Sequence, residues 1–260
     1  MKNIIVIIAV IIFFWQCTST DTTEKNYDFN PPAEGFNIDE SDSFAIAIAD
    51  SVMKAMGGRE AWNNTHFISW DFFGARKHYW DRFTNDIRIE SLRNDFVALI
   101  NLDDLTGRIQ KDGQEVTEPD SLRFYIERAK NFWNNDAYWL IMPYKLKDSG
   151  VTLTYVGEDS IQNAGDAYKL QLTFDNVGTT PNNKYHVWAD KNSYLVRRWA
   201  YFKDASQDTA NIITPWNEYR KYGDILLSGD RGERQITEIM VSDSLPTAVF
   251  ESFDPVAQDQ

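Results

Sequence analysis

Twenty residues in the middle of the chain, F-W-N-N-D-A-Y-W-L-I-M-P-Y-K-L-K-D-S-G-V (Phe132–Val151), restrict the fold more than any other stretch. Phe132, Trp133, Tyr138, Trp139, Leu140, Ile141, Met142 and Tyr144 crowd around one break, Pro143, and charge enters only at Asp136, Lys145, Lys147 and Asp148. So dense an apolar and aromatic run has to be covered, by the protein's own core or by a bound apolar molecule. The rest of the chain must supply elements that can cover it.

Those elements are mostly strands. Ile68, Trp70 and Phe72 alternate with Ser69 and Asp71, Val151, Leu153 and Tyr155 with Thr152 and Thr154, and Leu170, Leu172 and Phe174 with Gln171 and Thr173. Period two is the mark of a half-buried strand. Asp112-Gly113 predicts a tight hairpin. Lys184–Phe202 reads as a longer hairpin turning at Lys191-Asn192. Residues 204–211 and 228–235 read as loops. Two helices interrupt the meander. Phe44, Ile48, Val52 and Met56 form an apolar stripe over Ser41–Met56, with Ser41 or Ser43 able to cap it and Gly57-Gly58 to end it. Thr117-Glu118-Pro119-Asp120 resembles a capped start for a second helix running into the aromatic stretch. No helix falls where a parallel crossover would need one, so the expected class is mainly β (α+β): an antiparallel sheet with helices laid on it.

The N-terminus predicts an address. After Lys2, Ile4–Trp15 is an uncharged run of twelve apolar residues ending beside Cys17, the one cysteine of the chain. This is shorter than the ~20 residues a membrane-spanning helix needs, and it has the length of a signal-peptide core. A single thiol excludes an internal disulfide. The arrangement resembles a bacterial lipoprotein signal, which implies residues 1–16 as signal peptide and Cys17 as the lipidated first residue of the mature chain. Residues 17–40, acidic and broken by Pro31, Pro32 and Gly35, read as the lipidated cysteine and a flexible tether. Residues 41–252 read as a single domain and 253–260 as a tail. The formal net charge of −13 argues against nucleic acid as a partner.

The segment Y-W-L-I-M-P-Y-K-L-K-D-S-G-V (Tyr138–Val151) resembles the W-L-x-x-P-x-K-L motif of bacterial LolA/LolB-like lipoprotein-handling proteins and their relatives. The hairpin Y-H-V-W-A-D-K-N-S-Y-L-V-R-R (Tyr185–Arg198) resembles their strand, Asp-turn, strand unit. M-G-G-R-E-A-W (Met56–Trp62) and N-E-Y-R-K-Y-G-D-I-L-L (Asn217–Leu227) are similar to further segments, in the same order. The resemblance implies a strongly curved, incompletely closed β-barrel cupping helices in its concave face, with room for acyl chains between them. An anchor at Cys17 is more like LolB, or a relative with no transport role, than the soluble carrier LolA.

An open barrel encloses more volume than two helices fill, so a cavity is expected. Its expected lining is Trp70, Phe72, Trp139, Leu153, Tyr155, Leu170, Leu172, Trp188 and Trp199, with one face of the Tyr185–Phe202 hairpin, and its expected occupant a lipid, an acyl chain or another hydrophobic ligand. A filled core in a lipoprotein that binds an envelope protein partner is the alternative. Catalysis is not expected, an envelope hydrolase working through Asp/Glu pairs being the further alternative. His66, His78 and His186 are scattered and read as satisfied or exposed, no metal-ligand spacing occurs, and G-x-S-x-G, P-loop and G-x-G-x-x-G are absent. No cofactor or metal is expected. The expected location is the cell envelope, on the outer membrane facing the periplasm.

Overall fold

The computed structural model describes residues 29–162, 165–175 and 182–256. The expected signal peptide, Cys17 and the first part of the expected tether lie outside these residues.

Two short helices open the fold, α1 (Ser43–Ala55) and α2 (Arg59–Asn64). A meander follows: β1 (Phe67–Phe72), β2 (Arg76–Asp81), β3 (Asp86–Ser91), β4 (Phe96–Asn101), β5 (Gly107–Lys111) and β6 (Gln114–Glu115). The long helix α3 (Pro119–Ile141) and a 3-10 turn (Met142–Lys145) carry the aromatic stretch. The chain then returns to strands: β7 (Val151–Ile161), β8 (Gly165–Phe174), β9 (Lys184–Asp190), β10 (Val196–Phe202), β11 (Ile212–Pro215), β12 (Asn217–Tyr222), β13 (Ile225–Arg231) and β14 (Arg234–Ser242). A last turn, α4 (Ala248–Glu251), ends the fold. Residues 228–235, expected as a loop, instead close the β13–β14 hairpin, with Arg231 opposite Arg234.

Every strand pair is antiparallel. Nine strands run in the order β12-β13-β14-β1-β2-β3-β4-β5-β6 and five in the order β11-β10-β9-β8-β7. The chain passes from one set to the other at Trp216, which is buried and whose N–H bonds the Arg197 carbonyl at 2.9 Å. Among the described residues, none of the four edge strands, β12 and β6 of one set and β11 and β7 of the other, is paired across to the other set, so the strands do not close into a barrel. This is the unclosed antiparallel architecture expected from the sequence.

One apolar core lies between sheet and helices. It takes Ile68 and Trp70 from β1, Leu153 from β7, Leu170 and Leu172 from β8, and Leu140 and Ile141 from α3. On α1 the buried stripe is Ala45, Ile46, Ile48, Ala49, Val52 and Met53. Phe44, expected in that stripe, is 48% exposed and packs edge-on against Tyr155 and Tyr168. Neither Ser41 nor Ser43 caps the helix. Ser41 Oγ accepts the Leu153 N–H at 3.0 Å, and the Asp42 carboxylate accepts that of Tyr155 at 2.8 Å. These side chains tie the helix start to the edge of β7, satisfying donors that an edge strand would otherwise leave open. Glu118 does cap α3, accepting the N–H groups of Asp120 and Ser121 at 3.1 and 2.7 Å.

Residues 29–40 depart from the tether expected of them. Asn30 and Phe36 are buried, the Asn30 side chain donates to Asp50 at 2.6 Å, and the N–H groups of Ala33 and Asn37 bond the carbonyls of Lys147 and Val151. The segment is polar, but its polar groups find fixed partners, and Phe36 adds apolar burial. At the other end, the buried Arg88 donates to the carbonyls of Val249, Ser252 and Asp254 and straps the C-terminal segment across β3. Packed structure therefore runs past the expected boundary at residue 252.

Candidate functional site

The aromatic stretch covers part of the sheet and leaves a gap. Residues 133–141 of α3, the turn after it, and the concave face of β8, β9, β10 and β11 enclose a cleft of about 500 Å³. That is within the ~300–1,000 Å³ range of small-molecule sites.

Tyr185 on β9 is its centre. Its ring stacks on Tyr138 of α3 (centroids 5.2 Å apart) and meets Phe174 edge-on at 5.1 Å. Trp199 and Tyr201 of β10 lie 5.3 and 5.7 Å away. Trp139 meets Trp199 edge-on at 4.8 Å, which closes the helix against the strand. Burial pushes the Tyr185 phenol up to about 12 and, with Tyr185 and Asp148 nearby, the Tyr138 phenol well above its ordinary range. Both phenols stay neutral at physiological pH. Charge is confined to the rim, where Lys145 and Asp148 pair with each other. The arrangement offers dispersion and apolar burial over a broad aromatic surface, with no charge inside.

Of the expected lining, Trp139 and Trp199 reach this cleft. Trp70, Phe72, Leu153, Leu170 and Leu172 are in the filled core around it, and Tyr155 packs half-buried beneath Phe44. Trp188 faces away. Across the β9–β10 pair Trp188 stands opposite Arg198, while Trp199 stands opposite Val187, so the two tryptophans occupy opposite faces. Trp188 packs with Ile161, Ala167, Ala200 and Phe202 on the convex side and donates its Nε1–H to Asp159 at 2.8 Å. Tyr138 and Phe174 were not named in the expected lining, whereas Tyr185 and Tyr201 belong to the hairpin of which one face was expected there: Tyr185 shares strand parity with Val187, and Tyr201 with Trp199.

A buried polar cluster anchors the helix that forms the cleft wall. Asp136, fully buried on α3, accepts two bonds from Arg76 (2.5 and 2.9 Å), one from His78 Nε2 (2.8 Å) and one from Asn135 (2.8 Å). Burial lowers the His78 pKa below its ordinary 6.5 despite the carboxylate beside it. Burial opposes the charge on Asp136, but its bonds to His78 and Arg76 prevail and lower its pKa. The neutral His78 thus donates from Nε2 to a carboxylate, leaving Nδ1 buried without a partner. Arg231 adds a second tie: its guanidinium lies over Trp216 at 3.3 Å and donates to the Trp139 carbonyl at 2.5 Å, holding the end of α3 to β13. Among the described residues no group of His, Cys, Asp or Glu is arranged to hold a metal ion, and no helix is long and apolar enough to cross a membrane.

Comparison with protein-family models returns no match, and neither does comparison with curated proteins. Solved structures do match. The chain is similar to a DUF1329 family protein from Desulfovibrio piger at 14% identity, over 80% of this chain and 97% of that one, with a TM-score of 0.47. It is similar to an outer membrane lipoprotein-sorting type of domain from Vibrio parahaemolyticus at 9% identity, over 80% and 96%, with a TM-score of 0.42. A LolA superfamily protein from Nitrosomonas europaea matches at 10% identity, over 78% and 96%, also with a TM-score of 0.42.

Proposed function

We propose that this chain is a membrane-anchored lipoprotein of the cell envelope that binds a lipid, an acyl chain or another hydrophobic ligand in the α3–β10 cleft. The observation that carries the reading is the cleft itself: about 500 Å³, walled by Tyr138, Trp139, Phe174, Tyr185, Trp199 and Tyr201, and free of interior charge. An acyl chain entering it gains roughly 2.5 kcal/mol for every ~100 Å² of apolar surface removed from water, without needing a directed hydrogen bond. The lipobox-like N-terminus supports the address. Acylation at Cys17 with more than one chain anchors a protein stably, and the outer membrane facing the periplasm is the location proposed for it.

Two measurements test the reading separately. Trp139 and Trp199 stand in the cleft wall, so an acyl chain brominated along its length should quench their fluorescence, and unlabelled fatty acid or lipid should reverse the quenching. Absence of saturable quenching would rule out the ligand. For the address, fractionation should place the protein with membranes and Cys17→Ala should release it or block its maturation. A fully soluble unmutated protein would remove the anchor and leave the cleft intact.

A further inference from the structure

On the opposite flank of α3 from the cleft, a second depression of about 250 Å³ opens between the helix and the ends of β2, β3, β4 and β5. Phe132 lines it, whereas the next residue, Trp133, lines the cleft. We propose that this depression is a binding site for a tetrahedral oxyanion, a phosphate or phosphate monoester.

The first argument is charge. The chain carries 26 basic against 39 acidic residues, yet Arg76, Arg93, Lys111 and Arg128 all line this one concavity, with Asp95 and Asp112 as the acids. The second is pairing. Lys111 is matched by its neighbour Asp112 in an exposed contact, which is worth little. Arg76 gives Nε and Nη2 to Asp136, which holds its guanidinium in place and leaves Nη1 without a protein acceptor. Arg128 has no carboxylate partner among the described residues; its guanidinium lies 5.2 Å from the centroid of Phe132. Arg76 lies 4.4 Å from the same ring, so one aromatic side chain orients both forks. Arg93, on the bend between β3 and β4, has no side-chain partner among the described residues. The Asp95 side chain makes no ion pair or hydrogen bond among the described residues either.

Three guanidiniums from a strand, a bend and a helix approach one space, and two of them, Arg93 and Arg128, have no carboxylate partner among the described residues, while Arg76 is paired with Asp136 through Nε and Nη2 and keeps Nη1 open. Like charges gathered in this way repel, and an incoming anion relieves the repulsion. Guanidinium forks match phosphate oxygens in pairs, and donors from three elements suit a tetrahedral acceptor better than a planar carboxylate. The volume is below the ~300 Å³ at which whole-ligand pockets begin, so the site fits a group rather than an entire molecule. The group could come from a soluble phosphate compound or from a phospholipid headgroup, and the experiment separates the two.

Inorganic phosphate should be titrated into the full chain by calorimetry, against sodium chloride at equal ionic strength. Saturable binding is expected with phosphate and none with chloride. The R93A/R128A double variant should bind at least tenfold more weakly with a thermal midpoint changed by no more than a degree or two, because neither side chain makes an ion pair or hydrogen bond among the described residues and Arg128 has only its ring contact with Phe132. Asp95→Asn should bind several-fold more tightly, since it removes a negative charge and breaks no bond. Co-sedimentation of the Cys17→Ala chain, which carries no acyl anchor, with phosphatidylcholine vesicles, with and without phosphatidic acid, reports the headgroup source. Retention that needs both phosphatidic acid and the two arginines assigns the site to a membrane phosphate; phosphate binding without retention assigns it to a soluble one. If neither phosphate nor phosphatidic acid binds, or if binding survives unchanged in R93A/R128A, the proposal fails.

Discussion

Asp136→Asn tests what holds the cleft-forming helix in place. The substitution keeps the size of the side chain and removes its charge. Asp136 is fully buried and accepts from Arg76 at 2.5 and 2.9 Å, from His78 at 2.8 Å and from Asn135 at 2.8 Å. Breaking a buried pair from one side costs about 3–5 kcal/mol, because the remaining charge stays desolvated. The Arg76 side chain is 21% exposed and can regain some water, so the lower end applies, about 3 kcal/mol. For a domain of this size that lowers the thermal midpoint by about 6–12 °C. Urea unfolding followed by tryptophan fluorescence should show the lower midpoint with an unchanged slope. The pH dependence provides a second reading. Asp136 has a folded pKa below its ordinary 3.8, so its stabilisation is present above 3.8 and is lost as pH falls through the lowered folded value. The gap between wild type and variant should therefore close in acid. His78, whose folded pKa lies below 6.5, makes both proteins less stable as pH falls from 6.5 toward that value, because the unfolded chain takes up the proton first. A loss under about 1 kcal/mol, or a gap independent of pH, would show that the cluster is not what fixes α3.

Further outcomes follow from individual contacts. Tyr185→Ala removes the ring at the centre of the cleft and should abolish acyl quenching of Trp139 and Trp199, whereas Trp188→Ala, on the convex face, should leave quenching intact while lowering stability by about 3 kcal/mol in urea unfolding. Tyr144→Phe deletes the hydroxyl that bonds the carbonyls of Met56 at 2.8 Å and Leu226 at 2.9 Å, and should cost about 0.5–1.5 kcal/mol by the same assay. Gly57→Ala places a Cβ 2.3 Å from the Asp224 carbonyl oxygen at a φ of +114°, a conformation side chains disfavour, so thermal unfolding should shift down by several degrees; an unchanged midpoint would mean that the α1–α2 junction can shift away from β13.

The antiparallel class was legible because period two recurs in segment after segment and hairpin turns such as Asp112-Gly113 announce themselves locally. The aromatic stretch was legible as something needing cover. Less of the site was. Trp188 and Trp199 look alike in sequence, and both sit on strands of one hairpin, but a face is assigned by register. A shift of one residue reverses every side chain, and the pairing of Trp188 with Arg198 is visible only in three dimensions. His78 and Asp136 are 58 residues apart, so no spacing rule joins them. The polar segment 29–40 read as a tether because composition records solvation preference and not the partners, Asp50, Lys147 and Val151, that a fold brings to it.

What the sequence determined by itself was therefore local: strand and helix periods, turns, and an excess of aromatic surface for a chain this acidic. Tertiary structure alone decided which aromatics wall a cleft and which fill the core, and it alone set unpaired arginines around one depression. Periodicity is written in neighbouring residues and governs backbone conformation. Facing, burial and charge pairing depend on register and on contacts between segments far apart in the chain, and these exist only once the sheet has curved around its helices.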